Sequence, residues 1–374
     1  MENKLYDCAV VGGGLAGLSL SIQLARCGHQ VILFEKNQYP FHRVCGEYIS
    51  KESLDFLVRL GIPFSEISIA HIDEVLISAP NGKFIKRPLS LGGIGISRYL
   101  LDHHLYQLAV QSGVTVLQNT KVENIQFSDS IFEITTDDNS YKAKVACGTF
   151  GKKSVLDKKI REENPVTTSD YVGIKYHIRT SLAPNRIELH NFADGYCGIS
   201  KIEDDKYCMC YLTHSKNLKK YKGNIKQMET EVLFKNPYLK KYFTESEFLF
   251  DQPLTISQVS FAKKNTVEND ILLLGDAAGT IAPLCGNGMS MALHASHLAA
   301  GLVNLYLKNN IDFETLKSQY SKTWNEQFSM RIKIGGNLQK IFGKNMLTNM
   351  TIGLLRYFPR VVDGLIGLTH GKKY

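Results

Sequence analysis

Two short motifs at opposite ends of the chain constrain its fold more than any other feature. In the first, residues 5–11 alternate and end in an apolar run, as a buried strand would, and lead into Val10-Val11-Gly12-Gly13-Gly14-Leu15-Ala16-Gly17. Gly12 permits a tight turn, Gly14 lets backbone N–H groups approach a phosphate, and Gly17 allows a helix to pack closely on the strand. The helix expected from Leu15 through Ala16 to about Cys27 aims its positive end at that phosphate. Gly28 follows as its C-cap. Val31 to Phe34 reads as a second strand. Glu35, 18 residues beyond Gly17, is spaced like a carboxylate that accepts from a ribose hydroxyl. Strand, glycines, helix, strand and acid in this order predict a mononucleotide-binding unit. The bland alternative is a glycine-rich turn that binds nothing. In the second motif, the apolar run Leu272-Leu273-Leu274 meets Gly275-Asp276, a loop containing Pro283 follows, and Gly286-Asn287-Gly288 opens a long helix expected to reach about Leu307. Alone, it is only a buried strand meeting a helix.

Four segments, in order, carry a family resemblance. They are Gly12-Gly14-Gly17 with Glu35; Phe41-His42-Arg43-Val44-Cys45-Gly46-Glu47; Gly95-Ile96-Ser97-Arg98-Tyr99-Leu100-Leu101-Asp102; and Gly275-Asp276 through Gly286-Asn287-Gly288. Over roughly residues 5–310 the chain resembles the FAD-dependent oxidoreductases of the p-hydroxybenzoate hydroxylase fold, most of all the geranylgeranyl reductase branch and its relatives. The resemblance implies an α/β fold with a Rossmann-like FAD-binding domain, an interleaved antiparallel β-sheet substrate domain and a helical C-terminal region. It also implies FAD, held without a covalent link.

By this resemblance Arg98, at a helix N-terminus, reaches the pyrophosphate or its ribose, where a guanidinium suits phosphate oxygens. Asp276 accepts from a ribityl hydroxyl. The Gly286-Asn287-Gly288 turn, with Met289 behind it, brings a helix N-terminus to the part of the flavin ring that gains negative charge on reduction. Arg43, Lys36 and Val122 are counted with the cofactor-binding residues. The loop Arg43 to Glu47 is expected beside the flavin, with Cys45 on the substrate side. Three roles stay open for Cys45: tuning the ring, donating a proton, or packing, since free cysteine is often a small buried hydrophobe. Glu47 binds FAD, carries a proton, or is a solvated residue ahead of a helix capped by Ser50. Cys45 and Glu47 are the catalytic candidates, and no metal ligand set is expected.

The middle of the chain reads as a second domain. Residues 72–79 and 84–89 flank Pro80-Asn81-Gly82, a hairpin signal. Residues 171–179, 186–192, 196–202 and 206–213 look like successive strands with Asp194-Gly195 and Asp204-Asp205 as turns, and residues 217–235 look helical. The expected division is a discontinuous FAD-binding domain of residues 1–70, 95–160 and 265–310, a substrate domain of residues 71–94 and 165–264, and a helical C-terminal region of residues 311–374. Cys147-Gly148-Thr149-Phe150-Gly151 with Ser154 keeps the skeleton of the family's second glycine signature but lacks the acid common there in hydroxylases. Residues 193–201 resemble a strand of the reductases without its tryptophan or proline, so the resemblance carries no substrate.

Eight scattered cysteines fit reduced thiols in a cytoplasmic setting. Cys208-Met209-Cys210 is better read as strand packing than as a zinc or redox motif. With the first strand so early, no signal peptide is expected, and without a run of roughly 18 apolar residues no spanning helix is expected. A net charge of +8 favours anionic partners; with no recognised nucleic-acid module, nucleic acid is not expected. The apolar stretch from Met346 to Leu368, interrupted by Arg356, Pro359, Arg360 and Asp363, has two readings. It lies in a lipid interface, as a peripheral contact with the inner face of a membrane, or it covers the substrate channel as a packed lid, which is favoured.

No second dinucleotide motif appears, so NAD(P)H binding transiently, or another reductant, is expected to supply electrons. The tryptophan-rich pattern of flavin halogenases is absent, which disfavours halogenation. The expected activity is reduction of carbon–carbon double bonds in an apolar isoprenoid- or polyketide-like molecule. The alternatives are an NAD(P)H- and oxygen-dependent flavin monooxygenase and a flavin-binding protein without turnover.

Overall fold

The computed structural model describes residues 4–152, 154–161, 170–257, 264–342 and 344–374. Two sheets organise them. In the first, five strands run parallel in the order Ile271–Leu273, Ser140–Gly148, Leu5–Val11, Val31–Phe34, Thr115–Leu117. Val267–Glu268 and the hairpin Val122–Ser128/Ile131–Thr136 extend it antiparallel. The central strands Leu5–Val11 and Val31–Phe34 are almost wholly buried, as a parallel sheet covered on both faces requires. Helices Leu15–Arg26 and Gly288–Leu307 pack together, with the Ser19 and Ser296 hydroxyls 2.6 Å apart at the crossing. That crossing brings the two distant motifs together.

Gly12 and Gly17 take the conformations their spacing predicts. Gly12 has φ +112°, and a Cβ there would lie 2.5 Å from the Thr149 carbonyl oxygen. A Cβ on Gly17 would lie 2.1 Å from the Gly12 carbonyl oxygen, so only glycine lets the helix sit this close to the strand.

The second sheet runs in the order Glu247–Phe248, Tyr171–Arg179, Tyr207–His214, Gly195–Lys201, Arg186–Phe192, Ala70–Ser78, Phe84–Gly95, Tyr48–Ser50, with Leu254–Ser257 also paired to Tyr171–Arg179. It is antiparallel except where Arg186–Phe192 runs parallel to Ala70–Ser78. The hairpin predicted around Pro80-Asn81-Gly82 forms, but its second strand continues to Gly95 and delivers the chain to helix Arg98–Gln111. The expected helix at residues 217–235 is broken into Ser215–Lys220, Ile225–Val232 and a short 3-10 turn, because Gly223 at φ +83° interrupts it. Ser50 caps a 3-10 turn that leads into helix Leu54–Leu60.

The C-terminal region forms helices Phe313–Ile341, Asn345–Leu355 and Pro359–Thr369. The last two lie over the strand Phe84–Gly95, with Ile352 and Val362 buried against Ile85 and Ala79. No helix among the described residues is long and apolar enough to cross a membrane.

Candidate active site

One continuous cavity of about 1050 Å³ runs between the two sheets. At one end its wall is the first motif: Gly12, Gly14, Leu15, Ala16, Glu35 and Lys36, with Arg98 and Val122. Further along come Arg43, Cys45 and Glu47 on one side and Gly275, Asp276, Gly286, Gly288 and Met289 on the other. Gly17 and Asn287 do not border the cavity. Gly17 forms the helix–strand contact, and Asn287 is the buried N-cap residue of Gly288–Leu307. The Pro283 side chain lies outside the described residues.

The end of the cavity at the glycine motif is held by a buried charge network. Glu35 accepts from the Gly13 N–H at 3.0 Å, from the Asn37 N–H at 3.0 Å and from Arg43 at 2.9 Å. Arg43 also donates to Asp102 at 3.0 Å, and Asp102 takes a two-pronged contact from Arg98 at 2.6 and 2.7 Å. Burial opposes the charge of Arg98, but the charge and hydrogen bonds of Asp102 overcome it and hold the guanidinium firmly protonated. Arg98 Nη2 lies 3.7 Å from where a Cβ on Gly14 would stand, so this fixed cation faces the glycine loop. Asp276 sits in the 3-10 turn Gly275–Ala277, a third exposed, with Lys152 at 3.8 Å. Tyr48 packs 3.1 Å from where a Cβ on Gly286, at φ +68°, would lie. A side chain at Gly286 would therefore crowd Tyr48 and narrow the cavity. The bare glycine loop, the fixed Arg98, the Glu35 carboxylate and the N-terminus of Gly288–Leu307 together fit FAD.

The catalytic candidates are placed very differently from each other. Cys45 is half-buried on the cavity wall, its Sγ 3.4 Å from Met289 Sδ and its carbonyl accepting from the Cys208 thiol at 3.2 Å. Glu47 is wholly buried at φ +55°. It accepts from Lys175 Nζ at 2.5 Å, His177 Nε2 at 2.7 Å and the Arg98 N–H at 2.8 Å. Burial alone would raise its carboxyl; the Lys175 charge and the His177 hydrogen bond outweigh that and hold it at about 2. It is neither a solvated residue nor, near neutral pH, the holder of a proton to give; its acceptor capacity goes into fixing the loop.

Glu47, His177 and Cys208 bring three possible ligand atoms within 4.8 Å. Lys175 already supplies the cation there, and burial keeps the Cys208 thiol protonated. Two further thiols, Cys210 and Cys285, line the cavity, and burial pushes both up to about 12.

No sequence motif points to Lys175, His177, Tyr48 or Lys152, and Asp102 and Thr149 stand inside motifs that assign them no role. Thr149 Oγ1 donates to the Val11 carbonyl at 3.0 Å and also to that of Gly12, bracing the glycine turn. A lysine in the middle of an apolar strand, as at Lys175, is the one local signal that could have pointed to a buried partner.

Comparisons with known proteins point to the same cofactor. Residues 7–42 match the FAD binding domain model. The chain is 25% identical to conditioned medium factor receptor 1 of Dictyostelium discoideum, over 98% of this chain and 74% of that protein. It is 22% identical to digeranylgeranylglycerophospholipid reductase of Methanococcus vannielii, over 86% of this chain and 83% of the reductase. Among solved structures, the flavin-dependent brominase Bmp2 superposes with a TM-score of 0.79 at 16% identity, over 98% of this chain and 93% of that one. The chain is an FAD-dependent oxidoreductase of the p-hydroxybenzoate hydroxylase fold.

Proposed function

We propose that the protein reduces carbon–carbon double bonds in an apolar, isoprenoid-like substrate, with non-covalently held FAD and electrons from NAD(P)H or another reductant. The observation that carries this reading is the far end of the cavity. Beyond Gly286 it passes Val75, Ile77, Ile85, Leu89, Ile187 and Leu189 and ends against Ile352, Leu355, Val362 and Ile366. Such a wall gains most from a long hydrocarbon and offers few hydrogen bonds to a polar one.

When bound, FAD supplies the hydride. Glu35, Arg43 and Arg98 would hold its phosphate and ribose end, and Asp276 would hold the ribityl chain. The first turn of Gly288–Leu307 would offer N–H groups to the flavin ring. The apolar wall orients the substrate and excludes water. Cys45, on the cavity wall, would donate from Sγ the proton that a saturated product must gain. Glu47 fixes the left-handed turn that presents Cys45. The geranylgeranyl-type relatives agree with a reductive role.

The test is anaerobic incubation of the FAD-loaded, dithionite-reduced protein with a polyprenyl lipid, followed by mass spectrometry. Products heavier by two hydrogens per double bond support the reading. Products carrying an added oxygen, formed only with NADPH and air, would instead make it a monooxygenase. No product under either condition would leave a flavin-binding protein without turnover.

A further inference from the structure

We propose that the outer face of the two last helices docks on an anionic lipid bilayer. Helices Asn345–Leu355 and Pro359–Thr369 are amphipathic in an unusual sense, because both faces are apolar. The inner stripe of Ile352, Leu355, Val362 and Ile366 lines the cavity. The outer stripe leaves Met346 77%, Met350 63%, Leu354 60%, Tyr357 65% and Phe358 51% exposed. Half of the large apolar side chains exposed among the described residues fall between Met346 and Leu368, so the exposure is concentrated in one place. A contiguous apolar face of this kind marks an interaction site.

The charge around the stripe selects the partner. Lys344, Arg356 and Arg360 are exposed beside it. Residues 344–374 contain a single acid, Asp363, and Arg87 engages it at 2.6 Å. Cations flanking buried-seeking Met, Leu, Tyr and Phe side chains match the headgroup and acyl layers of an anionic leaflet. A second copy of this face would meet the same cations and be repelled. The inference rests on the apolar-substrate reading only for its use: a lid with one face in the bilayer and the other in the cavity would let a lipid pass between them.

The experiment is co-sedimentation of the FAD-loaded protein with vesicles of phosphatidylcholine, with or without one-third phosphatidylserine, and without substrate. Binding should be about tenfold tighter to the anionic vesicles and weaken with added salt. Met350→Glu with Leu354→Glu should lower binding at least about tenfold while melting temperature and FAD content stay at wild-type values. Arg356→Glu with Arg360→Glu should remove the preference for phosphatidylserine. Wild-type protein that stays in the supernatant with anionic vesicles, or a glutamate variant that still sediments like wild type, overturns the proposal. So does a vesicle-free dimer, seen by sedimentation velocity, that the glutamate variant abolishes. None of these readouts depends on turnover, so a failed reductase assay and a failed docking assay remain distinguishable.

Discussion

Lys175 Nζ lies 2.5 Å from the Glu47 carboxylate, with both side chains wholly removed from solvent. The pair joins the strand Tyr171–Arg179 of the substrate-side sheet to the loop that carries Arg43 and Cys45. Lys175 also donates to the Arg43 carbonyl at 3.1 Å. One ammonium thus fixes both ends of the loop, and the half-buried Cys45 is presented between them.

Removing one partner of this pair leaves a buried charge uncompensated. Lys175→Met should therefore cost about 3–5 kcal/mol of stability, read by denaturant unfolding of the FAD-loaded protein. Glu47→Gln combined with Lys175→Met should recover much of that loss. Equal stability in the single and double variants would show that the pair carries no such charge.

The same carboxylate sets an acid limit. Its folded value of about 2 lies below the ordinary 4.5, so folding favours the ionised form. The stability it contributes is complete above pH 4.5 and is lost as pH falls from 4.5 towards 2. Melting temperature measured across that window should fall more steeply for wild type than for Glu47→Gln. Parallel curves would contradict the assignment.

The first motif was legible because its strand, turn, helix and second strand follow one another in a single short segment. Strand, glycines and second strand fall within thirty residues of one another, and the bounds of Leu5–Val11 and Val31–Phe34 match the reading from sequence. The Glu47 network was not legible, because its partners Lys175 and His177 lie 128 and 130 residues away and act through tertiary pairing. Asp102 was visible as part of a motif, yet its bridge between Arg43 and Arg98 needs the packed fold. The C-terminal stretch was legible as apolar, but composition alone cannot tell an inner helix face from an outer one.

Asp276 offers a clean test of cofactor contact. Among the described residues it is ion-paired with Lys152 at 3.8 Å, whereas Glu35 also holds Gly13, Asn37 and Arg43 in place. Asp276→Ala should weaken FAD binding roughly tenfold to a hundredfold, the equivalent of one hydrogen bond to a charged group. The melting temperature of the FAD-free protein should not change. Glu35→Ala should lower both. Fluorescence titration and melting curves of the two variants separate these outcomes, and unchanged affinity in Asp276→Ala would remove that residue from the site.

Cys45 is the sharpest prediction. Its side chain borders the cavity and touches Met289, while the buried hydrogen bond in its neighbourhood runs to its carbonyl. Cys45→Ser keeps the shape and that carbonyl, so FAD content and melting temperature should stay close to wild type. If the thiol delivers the proton, substrate-dependent reoxidation of the reduced protein should slow by at least about a hundredfold, the usual effect of losing a general acid. Turnover that survives intact in Cys45→Ser would falsify the proton role and make the thiol packing. Glu47, fully bonded and ionised, could not take its place, so the proton would have to come from another cavity group such as Tyr48 or from water.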